Sequence, residues 1–162
     1  MTAPKLKPKP KGLDKDSTKK IIKTMSVLHT RLYRATGGRL GKKWHVGSAM
    51  RKGVPICLLT TTGAKSGLPR VAPLLFMDDG ANIILVASQG GLPTNPQWLR
   101  NIQANPDVTI QVRKNVRDMT ARVATADERS VLWPRLVELY ADFASYQTWT
   151  EREIPVVVCA PR

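Results

Sequence analysis

Apolar and polar positions follow two rhythms along the chain. Three apolar, β-branched or Thr-rich runs at 55–62, 71–77 and 81–87 are separated by two glycine-containing turns, which predicts a three-stranded meander. Asp79-Gly80 in the second turn is a common hairpin signal. Further on, Val108, Ile110 and Val112 alternate with Thr109 and Gln111. In 116–124, Met119, Ala121 and Val123 alternate with Asp118, Thr120 and Arg122. Both runs predict half-buried strands joined by a turn at 113–115. The apolar run 154–159 predicts a last strand.

Elsewhere the spacing is helical. Ile21, Met25, Leu28 and Leu32 form one stripe of a helix capped by Ser17 or Thr18 and ending near Ala35, before Gly37-Gly38. It is read first as a surface helix packed on the barrel, and second as an amphipathic helix that also touches anionic lipid. Residues 39–53 read as a loop. Thr94 or Asn95 is the expected N-cap of a helix over 97–104, with Pro96 near its first position and Trp98 and Ile102 facing inward. Thr125-Ala-Asp-Glu128 matches a capping box. The helix that follows carries Val131, Leu132, Leu136, Val137 and Tyr140, and Pro134 is expected to kink or divide it. A short helix over 141–150 bears Phe143, Tyr146 and Trp149. Six strands, mostly antiparallel, with short peripheral helices give a mainly β, α+β fold, a small barrel rather than a doubly wound sheet.

Charge changes the picture at one end only. The net charge is +14, yet residues 1–53 hold 15 Lys+Arg against 2 Asp, and the remainder holds 11 against 10. The body is nearly neutral, so nucleic-acid binding by the fold is not expected. The basic front end could meet an anionic membrane surface, nucleic acid, or solvent alone. Residues 1–20 read as a basic, Lys- and Pro-rich flexible tail, and 21–162 as a single domain. Cys57 and Cys159 sit in apolar strands and are expected as buried thiols. With no apolar leader and no run long enough to span a bilayer, a cytoplasmic protein is expected, peripheral on the inner membrane face if the basic helix binds lipid.

Hydrolytic constellations are missing. His29 and His45 lie outside the predicted barrel and make no ligand spacing with the cysteines, so no metal site is expected. Gly63-Ala-Lys-Ser66 lacks the full phosphate-loop pattern, and no pair of carboxylates stands out. Such a chain is better suited to hosting a cofactor that carries the chemistry itself. Lys65 and Arg70, on the glycine-bearing first turn, read equally as an ordinary polar hairpin or as a holder of phosphate or carboxylates, with unpaired turn amides assisting. The exit of the third strand, Ala87-Ser-Gln-Gly-Gly91, offers a hydroxyl, an amide and close-approach backbone, with Trp98 and Asn101 nearby. Tyr140, Phe143, Tyr146 and Trp149 read as core, or as the wall of a pocket for a flat substrate.

Several segments, in this order, resemble the deazaflavin (F420)-dependent nitroreductase family. They are Leu58-Leu-Thr-Thr-Thr-Gly-Ala-Lys-Ser-Gly-Leu-Pro-Arg-Val-Ala-Pro-Leu74, Ala87-Ser-Gln-Gly-Gly91, Asn95-Pro-Gln-Trp-Leu-Arg-Asn101, Trp133-Pro-Arg-Leu-Val137, Tyr146-Gln-Thr-Trp-Thr150 and Ile154-Pro-Val-Val-Val-Cys159. The resemblance implies a split β-barrel that binds F420, whose tail is an anionic phospholactyl-oligoglutamate. It implies hydride transfer from C5 of the reduced cofactor to a quinone-like, nitroaromatic or other conjugated acceptor. Lys65 and Arg70 match the family's tail-holding cations. Val71, Pro73 and Leu74 lie on the strand that meets the ring, and Ala87, Ser88, Gln89, Gly90, Trp98 and Asn101 surround the same site. Leu75, Tyr140, Phe143 and Tyr146 match the acceptor wall, with Ser88, Tyr140 and Tyr146 as candidate catalytic groups. Membrane association of such proteins fits the basic first helix.

The chain departs from the family at Ala64 and Gln89, where the family carries cations, and at Phe143, where a wall tyrosine loses its hydroxyl. Two other readings therefore stay open: a non-catalytic binder of F420 or a lipid-like ligand, and a split-barrel reductase using FMN.

Overall fold

The computed structural model describes residues 3–162. Helix α1 (Asp16–Ala35) precedes the short strand β1 (Lys43–Trp44) and a 3-10 turn (Gly47–Ala49). The meander is β2 (Val54–Thr62), β3 (Pro69–Asp79) and β4 (Asn82–Val86). A second 3-10 turn (Gln89–Gly91), α2 (Gln97–Ala104), β5 (Asp107–Val112) and β6 (Asn115–Val123) follow. Helices α3 (Ala126–Leu139) and α4 (Asp142–Thr148) lead to β7 (Val156–Pro161).

The strands run β2-β3-β4-β7-β6-β5, each antiparallel to its neighbour, and β5 pairs back onto β2. This closes a six-stranded barrel, which removes most free sheet edges. β1 is an extra strand on the rim, pairing Lys43 with Pro55 and Trp44 with Val54. One edge stays open. Residues 69–75 of β3 pair only with β2, and β4 takes over from Phe76 onward.

The period-two pattern explains the core. Cys57, Leu59, Ile83, Leu85, Val108, Ile110, Met119, Ala121, Val157 and Cys159 are alternate residues of five strands. They form one cluster with Trp98, Leu99 and Ile102 of α2. The intervening residues of β4 and β7 (Ile84, Val86, Val156, Val158) point the other way, against Leu132, Leu136, Tyr140 and Phe143 of the α3–α4 layer. Thr125 caps α3 with Glu128 in a reciprocal capping box.

Several expectations change. The stripe of α1 is not packed on the barrel: Ile21, Met25, Leu28 and Leu32 are 44–64% exposed. The helix is attached by another face near its C-terminal end. There the Tyr33 hydroxyl donates to the Ile56 carbonyl (3.1 Å) and accepts from the Arg113 amide (2.7 Å). Gly38 permits that joint, since a Cβ there would lie 2.6 Å from the Arg113 Cα. The supposed loop 39–53 contains β1 and a 3-10 turn. Pro96, in extended conformation, is itself the N-cap of α2 in place of Thr94 or Asn95. Pro134 lies on the exposed side of an undivided α3, and the chain leaves the helix at Tyr140 instead. Val131 and Val123 are exposed: nothing covers their faces where they stand, although Val123 shares the face of the buried Met119 and Ala121.

The front segment also makes contacts its composition does not announce. The Lys7 ammonium meets the buried Asp142 carboxylate at 2.6 Å, the Lys7 amide donates to Ser145 Oγ, and the Trp149 indole donates to the Lys7 carbonyl. α1 begins at Asp16, four residues ahead of the tail boundary expected at 20.

Candidate functional site

The turn between β2 and β3 is a tight hairpin. The Gly63 amide donates to the Leu68 carbonyl (2.9 Å), and the Gly67 amide to the Gly63 carbonyl (2.8 Å). The Ala64 amide donates to Asn101 Oδ1 (3.0 Å) and the Leu68 amide to Ser66 Oγ (3.3 Å). Most turn amides are thus engaged internally, and only those of Lys65 and Ser66 remain for a ligand among the described residues. Lys65 and Arg70 are exposed and have no carboxylate partner among the described residues. Among the described residues the Arg70 guanidinium makes one hydrogen bond, to Ser66 Oγ at 3.4 Å. Two neighbouring cations without counter-ions among the described residues give the hairpin a local positive charge.

Asn101 joins the hairpin to α2. It is 1% exposed, and its Nδ2 donates to Thr61 Oγ1 (2.9 Å) while its Oδ1 receives the Ala64 amide. Both ends of the side chain are used, and they lash the hairpin to α2. One turn earlier on that helix, Trp98 packs in the cluster that holds Ala87, with Ala72 and Leu74 of β3 against it. Residues 71–75 of β3 are all half-buried. Val71 and Leu75 point to the opposite side, toward Tyr33, Ile56 and Leu58, and Leu75 also reaches the aromatic layer. Pro73 shares the half-buried stretch, whose outer edge has no strand partner. Ser88 is buried and its Oγ accepts from the Gly90 amide, while Gln89 is exposed with φ of +46°.

The aromatic residues do form one wall. Tyr140 and Phe143 meet edge-on with ring centroids 5.1 Å apart, and Tyr146 and Trp149 are also 5.1 Å apart. The Tyr140 and Tyr146 hydroxyls lie 3.2 Å from each other. Burial pushes the pKa of both phenols up, so both stay protonated; one proton is shared within the pair and the other is free to donate. Phe143 is buried in the same layer. Beneath the wall lies Asp142, 6% exposed, which accepts from Lys7 and from the Ser48 amide (3.1 Å). Sequence reading missed Lys7, Ser48 and Asp142, because they are 94 and 135 residues apart and carry no local motif. It also missed Arg152, which lies just past the matching segment ending at Thr150.

The donor set suits a flat ring with an anionic tail. Unpaired cations stand on the hairpin, an open backbone edge and half-buried apolar side chains continue along β3, and a protonated phenol pair lies across Leu75. Ser88 follows Ala87, which packs with Trp98, and its hydroxyl is engaged by the Gly90 amide. Among the described residues no three His, Cys, Asp or Glu side chains gather as a metal site.

Comparison with known proteins identifies the family. Residues 25–161 match the family model of F420H(2)-dependent quinone reductases. The chain is 51% identical over 117 residues to the Mycobacterium tuberculosis protein Rv3178, a candidate F420H(2)-dependent quinone reductase, covering 72% of this chain and 98% of that one. It is 38% identical over 138 residues to the F420H(2)-dependent quinone reductase Rv1261c of the same species, covering 83% of this chain and 89% of that one. A solved structure of an F420-H2 dependent reductase (FDR-A) superposes with a TM-score of 0.61 at 45% identity, covering 65% of this chain and 93% of that chain. An F420H2-dependent reductase with a barrel fold, this chain belongs to the F420H(2)-dependent quinone reductase family.

Proposed function

We propose that this enzyme passes a hydride from F420H2 to a quinone-like acceptor held against the aromatic wall, with nitroaromatics as further acceptors of the same electron demand. The observation that carries this reading is the unpaired edge of β3 at 69–75, which runs from the unpartnered cations Lys65 and Arg70 to Leu75 at the tyrosine layer. Lys65 and Arg70 would take the anionic tail, Arg70 by a bidentate contact. Val71, Pro73 and Leu74 would lie along the ring, bordered by Ala87, Ser88, Gln89, Gly90 and Trp98. When bound, the cofactor supplies the hydride. The chain's own work is to orient the two partners, to exclude water with Leu75 and Phe143, and to stabilise charge on the acceptor. The Tyr140–Tyr146 pair, held protonated, would donate its free proton to the acceptor oxygen as negative charge develops there.

Anaerobic oxidation of F420H2, followed by its absorbance with menadione and then with a nitroaromatic, tests this reading. Consumption with menadione is expected. Binding without consumption would favour a storage role, and displacement of F420 by FMN would favour the flavin. Arg70→Ala is expected to weaken F420 binding about tenfold or more and to leave the melting temperature unchanged. An unchanged titration would remove Arg70 from the site.

A membrane-surface role for α1 has its own support. Ile21, Ile22, Met25 and Leu28 are more than half exposed, among Lys19, Lys20, Lys23 and Arg31. An apolar stripe flanked by cations suits an anionic lipid surface. Among the described residues, no helix is long and apolar enough to cross a membrane. Replacing Ile21, Met25 and Leu28 by Ser is expected to abolish sedimentation with phosphatidylglycerol vesicles and to leave turnover of a soluble quinone intact. Persistent sedimentation would rule out α1 as the anchor.

A further inference from the structure

Arg152 lies in the bend after α4 and is half-buried. Its guanidinium makes an unusual set of contacts. Nε donates to the Leu92 carbonyl (3.0 Å), and Nη2 to the Ser88 carbonyl (2.9 Å). Nη1 donates to Asn95 Oδ1 (2.8 Å), and both terminal nitrogens reach the Ala87 carbonyl (3.3 Å each). No carboxylate pairs with it among the described residues. Every one of these acceptors belongs to the stretch that leaves β4.

That stretch is strained. Gln89, Gly90 and Gly91 have φ of +46°, +63° and +77° in succession. A non-glycine residue in such a run persists only where its surroundings over-determine it. Two contacts do so here. On one side Gly91 is pressed against α4, where a Cβ would stand 2.9 Å from the Tyr146 carbonyl oxygen and 2.9 Å from Trp149 Cε3. On the other side the planar fork of Arg152 gathers three carbonyls at fixed angles, which a lysine ammonium cannot reproduce. Arg129 provides a contrast. It serves the same α4–β7 connection through the Ile154 carbonyl, Gln147 Oε1 and Glu153, and makes no contact with 87–92.

We infer that Arg152 is a positioning residue that sets the conformation of residues 87–92, and through it the grip of that segment on the cofactor, without touching the cofactor itself. The inference rests on reading 87–90 as part of the F420 site. It also joins the two halves of the site, because the brace grows from the end of the helix that carries Tyr146. The fork, rather than the positive charge, is the working feature.

The test compares full-length wild type, Arg152→Lys, Arg152→Met and Arg129→Gln. Amide hydrogen exchange is measured without cofactor, and F420 affinity by fluorescence titration. In both Arg152 variants, amides of 87–92 are expected to exchange faster while β2 and β5 keep wild-type protection. Affinity is expected to fall about tenfold in both. Arg129→Gln should change neither. Wild-type protection of 87–92, wild-type affinity in Arg152→Met, or full rescue by Arg152→Lys would each overturn the inference. Should Arg152→Met fail to fold, Arg152→Lys decides the matter. If the wild type does not bind F420, the proposed function falls, and the exchange measurement alone judges Arg152.

Discussion

Helices α1 and α2 carry the same kind of signal and meet opposite fates. Each has apolar residues at helical spacing. In α2, Trp98, Leu99 and Ile102 are at most 8% exposed and complete the barrel cluster. In α1, Ile21, Met25, Leu28 and Leu32 face outward. The difference lies in how the two are tethered. α2 is tied at both ends, by the 3-10 turn after β4 and by β5, and Asn101 lashes it to the hairpin as well. α1 meets the barrel near its C-terminal end, through Tyr33 and the adjoining Gly38. On its other side it is joined to the fold, among the described residues, only by way of the segment that Lys7 pins to α4. An apolar stripe states that a helix has a face to cover; the tethers decide whether the barrel covers it.

The comparison can be broken most forcefully at α2. Leu99→Ala leaves a cavity in the barrel cluster and is expected to cost about 3 kcal/mol, read as a drop in thermal and urea midpoints. A loss no larger than a surface substitution would mean that α2 does not complete the core. Tyr33→Phe tests the joint between α1 and the barrel. It strips the Ile56 carbonyl and the Arg113 amide of a shared partner and should cost about 1–3 kcal/mol. Full stability would show that α1 is held by something other than this hydroxyl.

Helix α3 starts by purely local chemistry and gives a smaller effect. Thr125→Ala is expected to cost about 1 kcal/mol. The same cap predicts a pH signature. Glu128 is held down to about 2 by Arg122 first and then by the Thr125 amide, against an ordinary 4.5. Its folded value is depressed, so its support is complete above about 4.5 and is lost as the pH falls toward 2. The melting temperature of Glu128→Gln should therefore change less than that of the wild type across this window. Parallel curves would place the acid sensitivity elsewhere. Smallest of all for stability is the change of Met25 and Leu28 to Ser, expected within about 0.5 kcal/mol because both already meet solvent. A large loss there would mean that the stripe packs on the barrel after all.

Much of the architecture was legible because it is written in short-range patterns. Alternation in β5, β6 and the meander placed Val108, Ile110, Met119 and Ala121 in the core. Thr125 and Glu128 announced the start of α3, and the Lys65/Arg70 hairpin was visible as cations on a glycine turn. Val123 and Val131 were misread because alternation and spacing assign a face without saying whether anything lies opposite it.

The site was legible in its outer parts and opaque in its joints. Local spacing and turn chemistry determined the meander, the capping box, the aromatic series on α4 and the uneven charge. Long-range geometry alone decided that Asn101 faces the hairpin from behind, that Lys7 meets Asp142, and that Arg152 braces the segment after β4. Those contacts join residues 37, 135 and 64 positions apart. Each depends on which surfaces the closed barrel brings together, and a hydrogen bond between distant residues leaves no periodic trace in the chain.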